Sequence, residues 1–125
     1  MDRDWYRSHQ RAGKYTHHRY NLAGTEHIVW ADGANHATKY DGTTVTDLNA
    51  TGAPANPKFV TGFKDALFFA GHSANPEEII FTAPFTDNDF STANGAGSLR
   101  IDSKVTALFP FRNELIIFGE ERITD

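Results

Sequence analysis

Two stretches of this chain say nearly the same thing. Residues 63–71 read FKDALFFAG and residues 111–119 read FRNELIIFG. Each runs Phe, a basic residue, Asp or Asn, one variable residue, Leu, three mostly bulky apolar residues, then Gly. The match spreads outward. Val60-Thr61 answers Val105-Thr106, with two extra residues before Phe111. EEIIFT (77–82) answers EERITD (120–125). Upstream, GTEHIVWADG (24–33) fits the slot more loosely, setting Ile28, Val29, Trp30 and Ala31 where Leu67–Ala70 and Leu115–Phe118 stand. The spacings are 39 and then 48 residues. A period of about 40–50 residues built from about four short strands is the pattern of a β-propeller blade.

Local signals agree. Apolar runs are short, rich in β-branched and aromatic residues, and punctuated by Gly, Pro, Asn and Asp. EHIVWADG and NHATKYDG each end in Asp-Gly, at Asp32-Gly33 and Asp41-Gly42, which predicts tight hairpin turns and a β-meander. Residues 85–98 form the longest irregular stretch and are expected to be flexible toward its end. No segment keeps a 3.6-residue apolar period over a helical length. The predicted fold is all-β, an antiparallel meander of two to three incomplete propeller-type blades.

The apolar strands add a constraint. In a half-exposed strand every other residue is polar. Here Leu67 and Phe69 oppose Phe68 and Ala70, Leu115 and Ile117 oppose Ile116 and Phe118, and Ile28 and Trp30 oppose Val29 and Ala31. Both faces must be covered, as a blade is by its two neighbours. The core is therefore assigned to Ile28, Trp30, Leu67, Phe69, Leu115 and Ile117. A β-sandwich also buries strands, but normally on one face. The sequence holds fewer than three full repeats, whereas closed propellers have about four to eight blades. The chain is thus expected to be a fragment of a larger propeller, or to close its ring with other chains.

Composition narrows the function. There is no cysteine, so disulfide and thiolate chemistry are excluded. No apolar run is long enough to span a membrane, and the opening MDRDWYRSHQ does not read as a signal peptide. The formal net charge of −4 argues against general polyanion binding. That charge is uneven: residues 1–22 carry a net +3 and the rest a net −7. Residues 1–23 read as a basic segment, an arm or a first strand, and 24–125 as the blades. Trp5, Tyr6, Arg7 and Arg11 in that segment are candidates for contact with a neighbouring subunit or with DNA.

Catalytic signatures are missing: no GxSxG, HExxH or P-loop occurs. The paired carboxylates Glu77-Glu78 and Glu120-Glu121 recur at equivalent positions, which points to a structural use. No enzyme activity and no cofactor are expected. Two weak metal candidates stand out. Asp87 and Asp89 in TDNDF could hold calcium, or could stabilise their own turn. His27 and His36 could face each other across the Asp32-Gly33 turn as zinc ligands.

ADGANHATKYDGTTV, FKDALFFAG, EEIIFTAPFTDNDFS and VTALFPFRNELIIFGEERI together resemble the β-propeller portion of tailed-phage virion proteins of the tail nozzle or tail tubular type. The order of parts is kept over residues 24–123; residues 1–23 match nothing in that pattern. The resemblance implies a structural subunit of a ring-shaped tail assembly, homo-oligomeric and joined to other virion tail proteins. It would be made in the host cytoplasm, lodged in the virion tail, and touched transiently by passing DNA. The alternative is a carbohydrate-binding lectin module that closes its propeller by oligomerisation, with Trp30 as its aromatic platform.

Overall fold

Every apolar run becomes a strand, and nearly every strand pairs with the one before it. The computed structural model describes residues 16–22 and 24–119, and the backbone of 123–124. Strands β1 (Thr16–Leu22), β2 (Thr25–Ala31), β3 (Thr38–Tyr40) and β4 (Val45–Asp47) form a first sheet in that order. A second sheet contains β5 (Phe59–Phe63), β6 (Ala66–Ala70), β7 (Glu78–Phe81) and β8 (Gly97–Arg100), again in order. The third contains β9 (Val105–Phe111), β10 (Glu114–Gly119) and β11 (Ile123–Thr124). All pairings are antiparallel and no sheet closes on itself. Among the described residues there is no α-helix, only a short 3₁₀ turn at Thr92–Asn94.

The repeated string is a repeated hairpin. Leu22 pairs with Thr25, Phe63 with Ala66 and Phe111 with Glu114, so each sheet begins with two strands joined by two residues. Such short loops favour positive φ, to match the twist of the strands. Gly24 supplies it in the first sheet, at φ 87°. Lys64 and Arg112 supply it in the others, at φ 55° and 57°. An L-residue in that region costs about 1–2 kcal/mol. Part of this is offset because each cation lies over the Phe before it, Lys64 5.5 Å from the Phe63 ring centre and Arg112 5.2 Å from that of Phe111. An exposed cation–π contact contributes about 0.5–1 kcal/mol. With the hairpins as anchors Ile28 corresponds to Phe69, shifted by one strand period from the sequence alignment, so its face is unchanged.

The Asp-Gly pairs do not make the tight hairpins expected of them. Wider loops follow β2 and β3, and the aspartates stabilise them as acceptors. Asp32 Oδ1 accepts from the amides of Ala34 and Asn35, both at 2.9 Å. Asp41 Oδ1 accepts from Thr43 and Thr44 at 2.9 and 2.7 Å. These side chains compete with ladder pairing for the same amides. Residues 16–22, counted with the basic segment in the sequence, form β1 and belong to the first sheet. Trp5, Tyr6, Arg7 and Arg11 lie outside the described residues.

Packing runs in sequence order. Leu67, Phe69 and Val60 of the second sheet bury against Val29 and Ala31 of the first, with Ala37 and Leu48 completing that core. The opposite face, with Ala70, Ile79 and the half-buried Phe59, Phe63 and Phe68, packs on Val105, Leu115 and Ile117 of the third. The middle sheet is thus covered on both sides. The second and third sheets each turn the Leu67-type face to the sheet before, and the first and second turn the alternate face to the sheet after. Ile28 is half-buried, while Trp30 is buried on the other side of β2 from Val29. The far face of the third sheet leaves Phe109 and Phe111 about half exposed, at 53% and 50%.

A charge at Leu67 or Leu115 would be buried without a partner. Leu67→Asp and Leu115→Asp are expected to yield no soluble folded protein. Leu99→Asp, at an exposed position of β8, is expected to fold. Circular dichroism of the soluble fractions checks this. A folded Leu67→Asp protein would contradict the burial of β6.

Candidate functional site

Residues 82–96, irregular in sequence, are held in place and clasp two sheets together. Thr82 begins the clasp. Its amide donates to the Leu67 carbonyl and its Oγ1 accepts from the Leu67 amide, both at 3.0 Å. Thr82 Oγ1 also donates to the Thr86 carbonyl at 3.0 Å, and Thr86 Oγ1 donates to that of Ala83 at 2.7 Å. Farther along, Asn88 Oδ1 accepts from Ala50 N at 3.2 Å, and Phe90 packs into the first core. The expected flexibility of this loop gives way to a network of short-range hydrogen bonds.

Asp87 is the centre of the clasp. It is buried, and its Oδ2 accepts from Lys39 Nζ at 2.8 Å and from Tyr20 Oη at 3.0 Å. Both partners come from the first sheet. The Tyr20 ring stacks on His27 at 5.1 Å and lies parallel to His18 at 6.2 Å. Burial first, then the Asp87 charge and hydrogen bond, push the Tyr20 phenol far above its ordinary value of 10.0. Burial, and secondarily the neighbouring His17, lowers the pKa of His18. His18 in turn lies close to the second sheet, where a methyl group added at Gly62 would overlap its imidazole.

Beside this cluster a groove of about 650 Å³ opens between β1 and the β5–β6 hairpin. Tyr20, Asn21, Lys64, Asp65, Phe85 and Thr86 are among its walls. A second groove of about 520 Å³, more apolar in its lining, lies between the second and third sheets. Asn113, Glu114 and Leu115 line it where Asp65, Ala66 and Leu67 line the first, so the two grooves occupy equivalent places in the repeat. Phe85 is the unusual residue. It sits at φ 63° with 72% of its surface exposed. Its amide donates to the Asp65 carbonyl at 2.7 Å.

The metal candidates separate. Asp89 turns back on its own loop, accepting from Ser91 N and Asn94 Nδ2, both at 2.9 Å. Asp87 reaches the other way, to Lys39 and Tyr20. The β2–β3 register pairs Ile28 with Tyr40 and Trp30 with Thr38, which puts His27 at the opposite end of the pairing from His36. Among the described residues no group of three His, Asp or Glu could hold a metal ion. Glu77 and Glu78 meet Arg100, and Glu78 Oε1 also lies 3.2 Å from His72 Nε2. Trp30 is 2% exposed and so cannot serve as an aromatic platform. Sequence reasoning missed Tyr20, Lys39 and Phe85. Comparison of the chain with protein-family models, curated proteins and solved structures found no match.

Asp87→Ala removes the partner of a mostly buried lysine and of a phenol. Loss of a buried pair costs about 3–5 kcal/mol, and partial exposure of Lys39 brings the expected cost to about 2–3 kcal/mol. Asp89→Ala is expected to cost about 1 kcal/mol, equally with and without EDTA. Urea titrations of both variants test the assignment. A melting shift with EDTA that the parent protein shows and Asp89→Ala lacks would instead place a cation at this loop.

Tyr20 also sets a pH dependence. Its folded-state pKa lies above the unfolded value, so the folded state binds the proton more tightly and the unfolded state ionises first. The stability it contributes is full below pH 10.0 and is lost progressively above it. Tyr20→Phe is expected to flatten the fall in stability as pH rises past 10.0, measured by denaturation at a series of pH values. An unchanged slope would mean that Tyr20 titrates normally.

Proposed function

We propose that this chain is a structural module of β-propeller-type blades, and that it works in a tail assembly of the nozzle or tail tubular type it resembles. The observation that carries the reading is the direction of packing. Three sheets stack in chain order, and the same type of face is turned toward the preceding sheet at each step. Repetition of one packing step is how blades surround an axis. Three sheets are fewer than the four to eight or so of a closed ring, so further sheets complete it, from the same polypeptide or from another copy. The outer face of the third sheet is the surface for that contact. Phe109 and Phe111 are exposed there, and the half-buried Ile116 and Phe118 alternate onto the same side.

The role is mechanical: to pack, to join neighbours and to shape a conduit for DNA, with a binding step but no chemical step. An acidic body suits a surface along which DNA slides without sticking. Light scattering of the purified chain tests the assembly. Self-association is expected, and Phe109→Asp combined with Phe111→Asp is expected to shift the mass to a monomer with unchanged circular dichroism. A parent protein that is monomeric at every concentration would overturn closure by other copies, and an association the double substitution leaves intact would overturn the assignment of this face. Labelling of purified phage particles with antibody to the chain tests the location. Signal at the tail end is expected, and particles without signal would overturn the virion assignment.

A further inference from the structure

The groove between the first two sheets holds a side chain that folding does not explain. Phe85 places a large apolar ring in water, on a backbone conformation that L-residues avoid. Its loop is tied by bonds from Phe85 N, Thr82 Oγ1 and Thr86 Oγ1, so the ring stands on a fixed base. Strain that the surrounding structure over-determines is a mark of binding and switch regions. A rigid base also lowers the ordering cost of binding.

Around the ring the groove mixes polar and apolar side chains. Lys64 brings a donor, Asp65 an acceptor, and Tyr20 and Leu22 bring apolar surface, while Asn21 Oδ1 is taken by the Gly24 amide at 3.1 Å. The formal charges of Lys64 and Asp65 offset each other. A matching ligand is uncharged overall and carries groups that both donate and accept. It also presents a flat apolar face to an aromatic ring. Hydroxyl groups on a six-membered ring have these properties, and about 650 Å³ accommodates one or two such rings.

We infer that this groove binds an uncharged saccharide, with Phe85 as the stacking platform and Lys64 and Asp65 as hydrogen-bonding partners of its hydroxyls. The site does not depend on the tail-assembly reading and stands or falls separately from it. It also differs from a platform at Trp30, which is buried.

Saturation-transfer NMR of the intact chain tests the site, with the methyl pyranosides of glucose, galactose, mannose and N-acetylglucosamine as probes and glucuronate as a charged control. Transfer to the ring protons of at least one neutral pyranoside is expected, with a Kd of about 1 mM. Phe85→Trp is expected to keep binding. Phe85→Ala is expected to weaken it by about tenfold or more, with melting temperature unchanged because the ring is exposed. Transfer to no pyranoside, or transfer that Phe85→Ala leaves intact, overturns the site. Transfer confined to glucuronate overturns the uncharged class. A lower melting temperature for Phe85→Ala, with binding kept, would assign the ring to folding instead.

Discussion

Burial of the middle sheet on both faces is the constraint from which the rest of the structure follows. β6 carries Leu67 and Phe69 on one side and Phe68 and Ala70 on the other, so it needs a neighbour on each. Each large apolar side chain fully removed from water stabilises by about 1.5–3 kcal/mol. The first and third sheets meet that need with β-branched and aliphatic residues, Val29 on one side and Val105, Leu115 and Ile117 on the other. Close approach is part of it. Thr16 Oγ1 donates to the Lys58 carbonyl and accepts from the Val60 amide at 3.1 and 2.9 Å, stitching β1 to the start of β5. Gly62 leaves room for His18 at the same seam.

The clasp of residues 82–96 is a second layer of the same design. Hydrophobic packing brings the first two sheets together without fixing their register. Asp87 adds direction, because a carboxylate that must meet both Lys39 and Tyr20 tolerates little sliding. The stacked rings of Tyr20 and His27 keep the phenol aimed. Phe85 is displayed from this loop, so the groove inherits the rigidity of the clasp.

Much of this was legible in the residues. The strands, their antiparallel order and the repeated hairpin follow from apolar runs, turn residues and the near-identity of FKDALFFAG and FRNELIIFG. The Asp-Gly pairs misled because Asp and Gly serve both tight hairpins and wider capped loops; the choice depends on which amides the carboxylate can reach. The clasp was not legible. Asp87 lies 48 residues from Lys39 and 67 from Tyr20, and only the tertiary fold brings them together. Phe85 was invisible for a different reason. Phe carries no preference for the left-handed region, so nothing local announces the turn of the chain that exposes it. Ile28, placed in the core with Trp30, is only half-buried, although Trp30 on the same face of β2 is buried.

Stacking that always turns one kind of face backward and another forward gives the array a polarity. Such a contact is heterologous, so two copies meeting by it leave one face of each unsatisfied. A twofold dimer therefore cannot finish it. If copies were to stack by that step, the rotation between successive sheets would decide the outcome: an angle that divides the circle shuts the array into a ring, and any other lets it run on as a filament. The spacing of the first two sheets depends on seams such as Gly62 with His18, where an added methyl would overlap the imidazole. Residues far from any ligand would then govern the symmetry of the assembly.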